Sequence, residues 1–168
     1  ATRALLLQLA TVTLVVALCT GVYLLLTVQQ LRAEAESTAL GIARTLAEDP
    51  QVRAEVTRIS LSDGTPDAAE LRDGDLQRIA SDVTSRTGAL FVVLTDDNGI
   101  RLAHPTPSRI GEEVSTPYEE VLAGAEVVDW QTGTLGESAR AKVPVRNDAG
   151  TPVGEVSVGF ERAGVFDD

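Results

Sequence analysis

The chain has 168 residues, with 25 Asp and Glu against 14 Lys and Arg, for a formal net charge of −11; it is long enough for one domain of ordinary size. That acidity argues against binding nucleic acid or an anionic membrane surface through bulk charge. One cysteine, Cys19, excludes a disulfide framework and a thiol metal site, and a single histidine without a GxSxG or HExxH run leaves a hydrolase little to work with.

From Ala4 to Val28 (ALLLQLATVTLVVALCTGVYLLLTV) there is no charged residue. A helix of ~20 apolar residues crosses the ~30 Å hydrocarbon layer of a bilayer, so residues 4–28 are expected to be a transmembrane helix. The run exceeds the ~7–15 apolar residues of a cleaved signal peptide, and no small-x-small site follows it. Leu18 stands before Cys19 where a lipoprotein signal would carry a small residue. Arg3 on one side, against Arg32 and Arg44 on the other, does not favour an inside start. The chain contains no methionine, so its natural beginning is expected to have been processed or cut away.

Beyond the span, Leu31, Ala35, Ala39, Ile42 and Leu46 recur at spacings of three and four, one apolar helix stripe. No Gly or Pro intervenes before Gly41, so the stripe is expected to continue the spanning helix and to stop at Asp49-Pro50. Gln51 to Ile59 predicts a short helix. Ser60 to Asp75 reads as loop, with Asp63-Gly64 and Asp73-Gly74 as turn signals. Leu76, Ile79, Ala80 and Val83 mark a further helix ending near Gly88.

The pattern then changes to strands. Ala89 to Thr95 is a short apolar run, Asp96 to Gly99 a turn, and Ile100 to His104 the returning strand of a hairpin. Pro105 to Gly111 is loop, and Tyr118 to Leu122 a helical turn or two. Val127 to Trp130, Ser138 to Val145 and Pro152 to Phe160 complete about five strands, the last two joined by Asn147-Asp148-Ala149-Gly150. Helices followed by strands on tight turns predict an α+β fold with an antiparallel sheet. Pro144 cannot donate to a ladder and marks an edge or a bulge.

One basic cluster stands out. Of the 14 Lys and Arg only Lys142 is a lysine, and it lies two residues after Arg140. Side chains two apart in a strand point the same way, so the two cations project together as a claw suited to an anion. The bland alternative is a solvated strand face. In the same way His104 can be an ordinary surface or core histidine, Arg101 a solvated hairpin residue, Thr134 a turn residue, and Ser157 a hydroxyl facing water.

Three ordered segments resemble a known family. They are Asp97 to Pro105 (DNGIRLAHP) followed by Arg109-Ile110-Gly111, Gly133 to Lys142 (GTLGESARAK), and Val153 to Gly159 (VGEVSVG). The chain resembles the citrate and C4-dicarboxylate sensor histidine kinases of the CitA/DcuS type, from the membrane helix to about residue 162. The resemblance implies a PAS-like (PDC-type) extracytoplasmic sensor domain at residues 29–162. Residues 163–168 would begin a connector to a second membrane helix, with the kinase beyond.

The resemblance also carries over a ligand site: Arg101 and His104 from the second strand, the Gly133-Thr134-Leu135 turn, Arg140 and Lys142, and the hydroxyl of Ser157. An arginine fork, a compact ammonium, a histidine and neutral donors match a di- or tricarboxylate. Convergence of Arg101 with His104, three residues on, requires a strand end or a bulge. Phe91 and Val93 stand where citrate-binding members place hydroxyls, which leaves a smaller di- or tricarboxylate open. The expected partners are a small carboxylate, the membrane, a second copy in a homodimer, and a response regulator reached through the kinase; no nucleic acid, metal, cofactor or catalytic residue is expected. A membrane-anchored dimerisation or protein-binding ectodomain, or the sensor of a chemoreceptor or another transmembrane receptor, shares the anchor and the long helix.

Overall fold

The computed structural model describes residues 2–62, 64, 66–133 and 136–161. The chain divides into two compact units, Ala1–Glu34 and Ala35–Asp168. The first unit belongs to helix α1 (Thr2–Ala47), which contains an apolar window of mean hydropathy 2.3, long and apolar enough to cross a membrane. Leu7, Leu14 and Leu25 of this stretch are exposed. Thr11, Thr13, Thr20 and Thr27 donate their hydroxyls to the carbonyls of Leu7, Leu9, Val16 and Tyr23. An apolar surrounding therefore finds these hydroxyls already satisfied.

In the second unit, the last turns of α1 bury Ala39, Ala43, Leu46 and Ala47. The helix ends where the sequence predicts. Asp49 Oδ1 accepts from the N–H groups of Gln51 (2.8 Å) and Val52 (3.1 Å), capping α2 (Pro50–Ser60), and Pro50 occupies the first turn. The expected loop from Ser60 to Asp75 is interrupted by a helix, α3 (Ala68–Arg72), capped by Asp67 and burying Leu71. Five residues are too few to display a helical period, so only the cap was there to be read. Helix α4 (Asp75–Thr87) ends at Gly88 with φ 70°, a left-handed position that glycine takes without steric cost.

The strands are β1 (Phe91–Asp96), β2 (Arg101–Ala103), β3 (Val127–Gly133), β4 (Gly136–Arg146) and β5 (Pro152–Glu161). They form one antiparallel sheet in the order β2-β1-β5-β4-β3, so the last strand is the central one. Between β2 and β3 the chain makes a single turn of 3-10 helix (Pro107–Arg109) and then the short α5 (Glu119–Leu122). One sheet face carries Val92, Leu94, Ala141, Val143, Val145, Val156 and Val158 against Leu46, Val52, Val56, Ile59, Leu76 and Ala80 of the helices. Each fully buried Val or Leu contributes about 1.5–3 kcal/mol, which makes this face the core. Pro144 sits in an interior strand, yet β3 pairs with β4 only as far as Val127 opposite Lys142. At Pro144 the strand is locally an edge, as its missing N–H requires.

Candidate functional site

The opposite face of the sheet is polar. Directly paired residues of antiparallel strands share a face. The register therefore builds three rows: Asp129–Arg140–Gly159–Phe91, Val127–Lys142–Ser157–Val93, and Pro144–Glu155–Thr95–Arg101. Arg140 and Lys142 project together, as the alternation predicts. The solvated reading fails, because Arg101, Lys142 and Ser157 are 7%, 2% and 5% exposed, and Arg140 is partly buried. Cover comes from α5, which packs over β4 and β5, and from the residues before it. Lys142 Nζ donates to Thr116 Oγ1 at 3.0 Å and to the Pro117 carbonyl at 2.6 Å.

Local sequence explains each position. Gly159 separates Phe91 from Arg140 in its row, and without a side chain there the Phe91 ring leans across to lie 4.9 Å under the guanidinium carbon of Arg140. That distance is a cation–π contact. Burial lowers the Arg140 pKa, while Asp129 and Glu155 oppose the shift. Lys142 Nζ lies 3.6 Å from Glu155 Oε1, an ion pair with both side chains almost fully buried. Burial pushes the Glu155 carboxyl upward, and Lys142 and Arg140 pull it back.

A bulge resolves the spacing of Arg101 and His104. Thr95 pairs with Arg101 and Leu94 with Ala103, so two residues of β2, Leu102 and Ala103, oppose one residue of β1. Both enter the apolar core, and the alternation restarts with His104 back on the side of Arg101. Arg101 Nη1 donates to the carbonyls of Glu113 (2.9 Å) and Glu112 (3.4 Å) and lies 3.6 Å from the Glu112 carboxylate. Its pKa is lowered by burial first and by Arg109 second, with Glu112 opposing. Gln77 of α4 brackets the His104 backbone, accepting from its N–H (2.9 Å) and donating to its carbonyl (3.0 Å). His104 Nδ1 lies 2.9 Å from the Thr106 nitrogen. Burial holds the imidazole pKa below its ordinary value of about 6.5; the Thr106 carbonyl, 3.1 Å from Nδ1, opposes this, and Arg101 and Arg109 add to it.

The structure thus places Arg101 and His104 at the β2 end of the polar face and Arg140, Lys142 and Ser157 on β4 and β5, with β1 alongside. Gly133 is the last residue of β3, paired with Gly136; Thr134 and Leu135 lie outside the described residues. Sequence reasoning missed Glu155, Thr95 and the stacking role of Phe91. Glu155 was findable, since it precedes Ser157 by two residues in the same strand. Among the described residues there is no grouping of three His, Cys, Asp or Glu able to hold a metal ion. The arrangement suits holding an anion, with cations and neutral donors kept out of bulk water.

The description "Single cache domain 3" fits residues 26–168. The sensor protein CitS of Halalkalibacterium halodurans is 39% identical over 124 residues, 73% of this chain and 21% of that protein. The sensor histidine kinase DcuS of Escherichia coli (strain K12) is 30% identical over 128 residues, 73% of this chain and 21% of that protein. The chain spans about a fifth of the length of these relatives. The crystal structure of the E. coli DcuS sensor domain superposes with a TM-score of 0.67 at 28% identity, covering 79% of this chain and 92% of that one. The resemblance drawn from the three sequence segments and the α+β fold are both borne out.

Proposed function

Because the chain belongs to the single Cache domain 3 family, we propose that it is the extracytoplasmic sensing part of a transmembrane sensor histidine kinase and binds a small di- or tricarboxylate. Arg140 and Lys142 take one carboxylate, and Arg101 with His104 meets the other end of the acid. Ser157 and the residues Gly133, Thr134 and Leu135 supply neutral donors. The observation that carries this reading is the burial of Arg101 and Lys142, beside a partly buried Arg140, on one sheet face. Burying an ion costs several kcal/mol unless partners offset it, so a fold that gathers cations there is built for an anion. Relatives named as sensor histidine kinases support the same assignment. Phe91 and Val93 line that face without hydroxyls, which favours an acid smaller than citrate.

In this reading, residues 4–28 span the membrane, and a kinase acting on a response regulator follows in the full-length protein, working as a homodimer. The ligand competes with the Thr116 and Pro117 contacts of Lys142, and the resulting shift of β4 against β5 passes along the central strand towards a second membrane helix. A ligand biases such a switch only by its differential affinity for the two states.

The test is the melting temperature of the whole chain in detergent micelles against citrate, isocitrate, malate, succinate, fumarate, tartrate and acetate. A saturating acid at 100 Kd adds about 2.7 kcal/mol and raises the melting point by several degrees. Arg140→Ala and Lys142→Ala should abolish that rise. No shift with any acid in a folded chain would refute the proposal.

A further inference from the structure

Glu155 poses a problem for a site that takes anions, and the inference drawn from it rests on the ligand face proposed above. The side chain is 1% exposed on the central strand of that face, next to Lys142 and close enough to Arg140 to act on its charge. A counter-ion for Lys142 needs one carboxylate oxygen, and Oε1 serves at 3.6 Å. Oε2 is buried without a hydrogen-bond partner among the described residues. Directly across the ladder, Thr95 is also 1% exposed, and its hydroxyl Oγ1 is likewise buried and unpartnered. Two paired residues of the ligand face thus each carry an orphaned oxygen; the hydroxyl can donate or accept, but the carboxylate oxygen can only accept. A ligand that presented carboxylates alone could accept from the Thr95 hydroxyl but would seal Glu155 Oε2 from water unpaired, a cost of the kind that discriminates strongly between ligands.

We propose that Glu155 and Thr95 form a specificity-determining subsite that takes a hydrogen-bond donor carried beside the ligand's carboxylates. The preferred ligand is then a hydroxy- or amino-substituted dicarboxylate rather than the unsubstituted acid. The shared chemistry is the donor, and hydroxyl and ammonium are its two sources.

Titration calorimetry on the whole chain in micelles, with succinate, malate and aspartate, compares one carbon skeleton bearing no donor, a hydroxyl or an ammonium. At least one substituted acid should bind about tenfold or more tightly than succinate. Thr95→Val removes a buried hydroxyl while keeping shape and charge, so the fold should hold while the preference shrinks several-fold. Glu155→Gln keeps an accepting oxygen but not the charge. It should spare a preference for malate and abolish one for aspartate, which separates the two sources. Succinate binding as tightly as both other acids, or a preference unchanged in both variants, would overturn the subsite. If Arg140→Ala still abolished succinate binding, only the Glu155 assignment would fall. If none of the three acids bound, the ligand face itself would be refuted and the subsite with it.

Discussion

Strand β4 shows two ways of being buried within one stretch of sequence. Ala141, Val143 and Val145 enter the core, while Ser138, Arg140, Lys142 and Pro144 alternate with them on the other face. The apolar face is held by removal of surface from water, a term that is non-directional and spread over many contacts. The polar face is held by specific partners: Glu155, Thr116 and Pro117 for Lys142, the Phe91 ring for Arg140, and the 112–113 carbonyls for Arg101. The first kind of face should respond to lost volume. The second should respond to a lost partner and recover when the other partner also goes.

The largest effect follows from that difference. Lys142→Met leaves Glu155 as an unpaired buried acid and should cost about 3–5 kcal/mol in urea unfolding. Adding Glu155→Leu should restore most of the loss. Leu94→Ala on the apolar face should cost about 2–5 kcal/mol through its cavity, with no such second-site recovery. A Lys142→Met variant as stable as the parent would break the contrast.

Next in size is Gly159→Ala. A methyl there runs into the Phe91 ring, and overpacking of this kind costs about 1–3 kcal/mol. The ring would also leave Arg140, so carboxylate affinity should fall along with stability. Thermal melts and calorimetry on the same sample check both. Asp49→Ala removes the cap of α2 on the helical side and should cost about 0.5–2 kcal/mol. Carboxylate affinity should not change, because no residue of the polar face is touched.

The smallest effect is a pH dependence. His104 has a lowered pKa in the folded chain, so its contribution to stability is complete above about pH 6.5 and is lost as pH falls through the folded value. Glu155, with a raised pKa, works the other way: its ionisation weakens the fold as pH rises through its folded value. His104→Gln should flatten the loss of stability below pH 6.5 and leave the Glu155 slope in place. Melting curves taken between pH 4 and pH 8 would show whether it does.

Much of this fold was legible because its signals are local. Asp49-Pro50 announces both a stop and a cap, Gly88 closes α4, and the period-two pattern of β4 announces two faces. The cationic pair was legible for the same reason. Helix α3 was hidden because five residues show no period. Lys142's burial was hidden because it depends on Thr116 and Pro117, far away in sequence. The shared side of Arg101 and His104 depends on a bulge set by the pairing of β1 with β2, which spacing within β2 does not reveal. Glu155 was legible from its offset to Ser157, but its role depends on Lys142 across the ladder.

The most direct measurement is a structure of the chain saturated with the acid that raises its melting point most. The account predicts carboxylate oxygens within ~3 Å of both Arg140 and Lys142, with Lys142 drawn away from the Pro117 carbonyl. An acid bound elsewhere, with Lys142 still on Pro117, would contradict it.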